Sequence, residues 1–297
     1  MYTRNELDEA LIAEQGRYLS QKAIVSARRA FVGRQVYGSS ITRVPHGTQT
    51  YSFDVRTGTS AARIDPKYPG QKNQDSISNA RSNVNINCLH KEFSVDESDW
   101  QSSLQTGENL SSANSDELSY QVSLLEDTML LYGTVLEGVP VNGLYLGAGN
   151  SETTNLGWGT PANIITSVNN ALTLEKADHI YGPFNMVLNS AQETYASVPI
   201  GSGSMTYLDW IMKRLGNNGQ PGKIFVTEAI ADGTGLLVKA NPIQSEFEYV
   251  IADDLQVELE PRSVEAGRGL FGRVFVNSVP VIHDANTICK LTDIGGS

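Results

Sequence analysis

The sequence predicts an α+β fold on three observations. A long central stretch repeats its apolar residues at helical spacing. Segments with two-residue alternation gather in the last third. A polar interval holding Pro and Gly is bracketed by two alternating segments near the start. Helices and strands come in runs and not in strict alternation, which favours antiparallel or mixed sheets packed on helices. The 297 residues suffice for one large domain or two closely joined ones.

Along the chain, residues 5–36 have helix-forming composition, with Leu7, Ala10, Leu11 and later Ala23, Ile24, Ala27 and Phe31 on one face. Gly33 and Gly38 are expected to break that pattern. Tyr51, Phe53 and Val55 then alternate with polar residues, and Val84, Ile86 and Cys88 alternate with Asn83, Asn85 and Asn87 as the natural partner strand. Residues 56–81 between them hold Gly58, Pro66, Pro69 and Gly70 and almost nothing apolar, so a long two-stranded arm with a polar tip is predicted. An isolated hairpin is marginal in water, and such an arm needs a neighbour to lie on.

The strongest helix is expected at 115–136, where Leu118, Val122, Leu125, Met129, Tyr132 and Leu136 recur every three or four residues. Asn114 or Ser115 is its expected cap, and Gly138 with Pro140 its expected end. Residues 139–159 read as a Gly-rich loop. Thr160 and Pro161 then open a second helix whose buried face carries Ile164, Ile165, Val168, Ala171 and Leu172. A strand at 184–189, a helix at 207–215 stopped by Gly216, and strands at 223–226 and 236–239 follow. The closing strands are expected at 247–251, 255–259, 270–276, 279–282 and 287–291.

No run approaches the roughly 18–20 apolar residues of a membrane helix, so a soluble protein without membrane partners is predicted. The first nine residues lack a basic start followed by an apolar stretch, and no secretory signal is expected. Cys88 and Cys289 lie in apolar strand patterns and read as buried free thiols, in keeping with a reducing compartment. The net charge of −11 argues against a surface that grips nucleic acid throughout. Residues 1–46 are the exception, with seven basic side chains against four acidic ones.

Sites for chemistry are missing from the sequence. It contains no phosphate-binding Gly-x-x-x-x-Gly-Lys-Ser/Thr, no His-Glu-x-x-His and no Gly-x-Ser-x-Gly. His46, His90, His179 and His283 are far apart and have no partner at ligand spacing. The pairs Glu126-Asp127 and Asp253-Asp254 are expected to face water or a cationic neighbour. A non-enzyme is predicted, with no catalytic residue, metal or cofactor. A carbohydrate-binding β protein is disfavoured by the central helix and the aromatic share of 8%.

Several stretches, weak singly but ordered together, carry a resemblance. Ala27-Arg-Arg-Ala-Phe-Val-Gly-Arg-Gln-Val36, Leu89-His-Lys-Glu-Phe-Ser-Val95 with Trp100, Gly182-Pro-Phe-Asn-Met-Val-Leu188, Asp253-Asp-Leu-Gln-Val-Glu-Leu-Glu260 and Phe271-Gly-Arg-Val-Phe275 follow one another as in the shell proteins of tailed phages and encapsulin nanocompartments. The chain resembles that family over nearly its whole length. The resemblance implies the tailed-phage major capsid protein or encapsulin fold: an N-terminal helical arm at 1–46, an extended loop (E-loop) at 47–92 that lies across an adjacent subunit, a peripheral domain at 93–140 and 245–297 built on the spine helix at 115–136, and an axial domain at 141–244.

By the same resemblance the partner is the chain itself, in pentamers and hexamers of an icosahedral shell. On the arm, Arg56, Arg63, Lys67, Tyr68, Lys72 and Arg81 are the expected inter-subunit residues, and Lys22, Arg28, Arg29 and Arg34 the expected lumen- or DNA-facing ones. The long polar arm and the basic N-terminal segment favour a viral major capsid subunit in a virion, assembled in the host cytoplasm around double-stranded DNA held by non-specific electrostatics. Decoration, scaffolding and portal proteins are further partners on that reading. The alternative is an encapsulin shell enclosing enzyme cargo.

Overall fold

The structure, a computed structural model, describes residues 31–56, 79–96, 110–136, 139–153, 156–217, 220–262 and 269–296. The predicted helix over 5–36 lies mostly outside these. Its described end is a short helix, α1 (Gly33–Tyr37), which Gly33 begins instead of breaking and which Gly38, at φ 53°, terminates.

Two main sheets form the body. The first orders its strands β1 (Ile41–Arg43), β11 (Phe247–Arg262), β12 (Gly269–Ile282) and β4 (Asn87–Asp96), with β1 parallel to β11 and the rest antiparallel. The second runs β7 (Asn150–Glu152), β13 (Ile288–Leu291), β10 (Gly235–Lys239), β8 (Phe184–Leu188) and β9 (Lys223–Val226), with parallel pairs at both edges. β13, close to the C-terminus, thus sits between β7 and β10 in the sheet built largely from residues 150–239. Two small ladders complete the strands: β2 (Thr50–Arg56) with β3 (Asn79–Asn85), and β5 (Thr134–Leu136) with β6 (Val139–Val141).

The spine helix, α2, spans Leu110–Leu131, earlier than the expected 115–136 at both ends. Ser115 is therefore interior and not a cap. At the other end Tyr132 is a turn residue, Gly133 takes φ 104° in space too tight for any Cβ, and Leu136 belongs to β5. Leu118, Val122 and Met129 face the first sheet as the spacing predicts, and each fully buried side chain of this kind contributes ~1.5–3 kcal/mol. Leu125 is a correction: it is 39% exposed, because Leu130 and Leu131, not Leu125, turn inward on the neighbouring arc of the helix.

Three packed clusters run into one another. One joins α2 to the first sheet through Val250, Leu255, Val274 and Val276. A second, with Tyr37, Leu130, Val187, Leu236, Phe247 and Tyr249, draws on strands of both sheets. The third covers the second sheet with α3 (Pro161–Ala177), α4 (Ser190–Ala196) and α5 (Tyr207–Leu215). Ile164, Val168, Ala171 and Leu172 are buried there as expected. Boundaries at 207–215 and 223–226 match the sequence reading, whereas α4 was not anticipated. The expected loop at 139–159 contains β6 and β7, four of the expected closing strands merge into the continuous β11 and β12, and the fifth, at 287–291, is β13. Cys289 is buried, but Cys88 is exposed, correcting the expectation of two buried thiols.

Candidate assembly interface

The sequence puts its expected inter-subunit residues on the arm, whose described root is the β2–β3 hairpin. In the β2–β3 hairpin, Tyr51 lies opposite Val84 and Phe53 opposite Ser82. Period-two alternation puts Tyr51 and Phe53 on one face, with Ser52 and Asp54 on the other. Tyr51, Phe53, Val84 and Ile86 are half-buried against the cluster between α2 and the first sheet, and the Phe53 ring meets the His283 ring edge-on at 4.5 Å. The described root of the arm therefore leans on its own subunit. The sequence reading, which asked for a neighbour along the whole arm, is corrected for this part.

Beside the hairpin a groove of about 1060 Å³ opens between Phe53, Ile86 and His90 on one side and Leu125, Val141 and Ile282 on the other. Cys88 lines it too. The exposed Leu125 of the spine helix thus looks into this groove, whose lining mixes apolar side chains with Asn83, Asn85, Asn142 and Arg273. At one end of the second sheet, where β8 and β10 pair, Tyr181 and Ile243 are 59% and 57% exposed.

Buried carboxylates fix the elements from which the arm departs. Glu126 and Asp127, adjacent on α2, are both buried and take different partners. Arg34 of α1 grips Glu126 with Nε at 2.7 Å and Nη2 at 3.1 Å, and donates through Nη1 to Asp254 at 2.7 Å. The Tyr249 hydroxyl also donates to Glu126. Burial opposes the Arg34 charge, but Glu126, Tyr249 and Asp254 outweigh it and hold the guanidinium firmly protonated. Asp127 accepts from the backbone N–H groups of Val32 and Gly33 and from Thr227 Oγ1. Its carboxyl is pushed up by burial, with these bonds opposing. A Cβ on Gly33 would stand 2.8 Å from Asp127 Oδ1, so this contact requires glycine.

β11 carries the other two carboxylates. Glu248 bonds His283 Nε2 at 2.9 Å and accepts from Thr42 at 2.5 Å. Although burial pushes it up, bonds from His283, Thr42 and Tyr51 hold its carboxyl below the ordinary value. The Tyr51 phenol is pushed up to about 12, by burial first and then by Glu248. Asp253 sits where the β11–β12 register shifts. It meets His46 Nδ1 at 2.5 Å and accepts from Asn277 at 2.6 Å.

Of the sequence-predicted arm residues, Arg81 pairs with Asp54 across the hairpin at 3.1 Å. Arg56 is in β2, paired with Asn79 through the backbone. Arg63, Lys67, Tyr68 and Lys72 lie outside the described residues, as do Lys22, Arg28 and Arg29. Arg34 is described, and its charge is neutralised within the subunit by Glu126 and Asp254. His46, His283, Glu248 and Asp253 were missed as a group because their pairings span 35 and 207 residues, which no local spacing reveals. Among the described residues no group of three or more His, Cys, Asp and Glu could hold a metal ion, and no helix is long and apolar enough to cross a membrane.

The fold is shared with subunits of a virus-like particle and of phage capsids. The virus-like particle from Pyrococcus furiosus superposes with a TM-score of 0.67 at 14% identity, covering 94% of this chain and 98% of that one. The capsid of Myoviridae Phage XM1 gives 0.65 at 12% identity, covering 89% and 92%. The capsid of a native GTA particle gives 0.60 at 10% identity, covering 87% and 88%. No curated protein matches the sequence. A family model described as "Encapsulating protein for peroxidase" matches residues 15–266, and the chain belongs to that family. It is a self-assembling, non-catalytic shell protein of the capsid and encapsulin superfamily.

Proposed function

We propose that this chain is the wall subunit of an encapsulin-type compartment that encloses a protein cargo. The match of residues 15–266 to a family described as encapsulating a peroxidase carries this reading, and by that relation the cargo is an enzyme of the peroxidase class. The viral reading favoured by the long arm has less support, although the likeness to the XM1 phage capsid keeps it as the second reading: a virion shell around double-stranded DNA, with portal, scaffolding and decoration partners. Native particles decide between the two. A protein-type absorbance ratio and a co-purifying second polypeptide are expected, whereas nuclease-protected DNA filling the particle would overturn the compartment.

Within the wall, the arm at 47–92, whose β2–β3 root rests on its own subunit, reaches across an adjacent subunit with the part beyond that root, and the groove at Leu125 takes part in that contact. Arg56, Arg63, Lys67, Tyr68, Lys72 and Arg81 are the proposed polar contacts on the arm. Lys22, Arg28 and Arg29 are the proposed lumen-facing cations, Arg34 being matched internally. Residues 93–140 and 245–297 form the peripheral part and 141–244 the axial part, which gathers around five-fold and six-fold centres.

A further inference from the structure

Both buried carboxylates of β11 that point toward the arm are met by histidines, and the two pairs flank the place where the arm leaves the body. His46 occupies the turn between β1 and β2, where its ring ties the start of the hairpin to Asp253 of β11. His283 follows β12 directly and touches the arm itself through the Phe53 ring. Glu248 joins His283, Thr42 of β1 and Tyr51 of the arm in one network.

We propose that the His46–Asp253 pair is a proton-controlled clasp beside the Glu248 network, which holds the root of the arm against its own subunit at mildly acidic pH and relaxes it as pH rises.

The geometry gives each half a distinct part. His46 is 84% exposed, so protons reach it freely, while its partner Asp253 is buried and fixed by Asn277. A protonated imidazole makes a charge-assisted bond to Asp253, and a neutral one makes an ordinary bond. Among the described residues, the charged groups around His46 come from β1, β11 and β12. Asp253 and Glu258 favour its charge, Arg43 is paired with Asp254, and Arg273 is paired with Glu258. Around His283 the facing groups are Glu248 from β11, the Tyr51 phenol and Phe53 from β2, and its chain neighbour Asp284.

The direction follows from linkage. Bonding to Asp253, then its charge, raises His46 above the ordinary 6.5, so its contribution is whole below that value and is lost as pH rises through the raised one. Burial acts against ionisation of Glu248 and Asp253, yet their bonds hold both below the ordinary 4.5 and 3.8. Their contributions are whole above those values and are lost only as pH falls through the lowered ones. The clasp is therefore tightest between roughly pH 4.5 and 6.5. It does not depend on what the shell encloses.

Hydrogen–deuterium exchange of the full-length protein at pH 5.5 and 8.5, corrected for intrinsic exchange, tests this. Protection of peptides spanning 46–56 and 79–90 is expected to fall about two- to fivefold at the higher pH while α2 peptides hold, the range expected of an exposed charged contact. In His46→Gln, and in His46→Gln with His283→Gln, the fall should vanish, and Asp253→Asn should flatten it likewise. Retention of the wild-type fall in His46→Gln or in the double variant, or a fall shared equally by α2, would overturn the proposal.

Discussion

Glu175 is fully buried near the end of α3, and its carboxyl is pushed up to about 8, by burial first and then by the neighbouring Asp178 and Asp284. Its folded value lies above its unfolded one, so the folded state holds the extra proton between about 4.5 and 8 and loses stability as pH rises through that window. The slope reaches at most ~1.4 kcal/mol per pH unit. Glu175→Gln should melt higher than wild type at pH 8 and equally at pH 4, as thermal denaturation at the two pH values will read. Arg34 offers the converse case. Arg34→Met would leave Glu126 buried without its cation and should cost ~3–5 kcal/mol in chemical denaturation.

At the scale of elements, the spine helix has two different faces. Met129→Asp buries an unpaired charge against the first sheet and should abolish the fold, read as insoluble expression or loss of the cooperative transition. Leu125→Asp, one helical turn away and facing the groove, should leave circular dichroism and melting close to wild type while particles fail to form on gel filtration.

The same helix marks what local signals can deliver. Leu118, Val122 and Met129 were legible because packing against one sheet imposes the helical period. Its ends were not. Residues 110–115 carry no sustained apolar repeat, and Tyr132 and Leu136 continue the spacing through a turn and into β5. α5 was placed to the residue because local chemistry fixes it: Thr206 and Asp209 cap each other's backbone N–H groups at its start. α4 is only seven residues long, too short to show a period. The β2–β3 hairpin was legible as two alternating strands around a polar interval. Its anchors were not, since Arg34–Glu126, His46–Asp253 and Arg34–Asp254 bring together residues 92, 207 and 220 positions apart.

On the scale of the molecule, the described body folds on three clusters, to which β2 and β3 lend only the half-buried Tyr51, Phe53 and Val84. Deleting residues 57–78 and joining the strands by a short turn should leave a subunit with wild-type melting that no longer closes shells, measurable by electron microscopy of the purified product. Normal particles from that variant would remove the arm from the wall's joints.

β11 runs sixteen residues without a break and carries Glu248 and Asp253 toward the arm root and Asp254 toward Arg34. The outgoing arm and the incoming N-terminal segment thus share a single rod as their common origin. A substitution that disturbs β11 between Glu248 and Asp254 therefore loosens the seat of both segments at once.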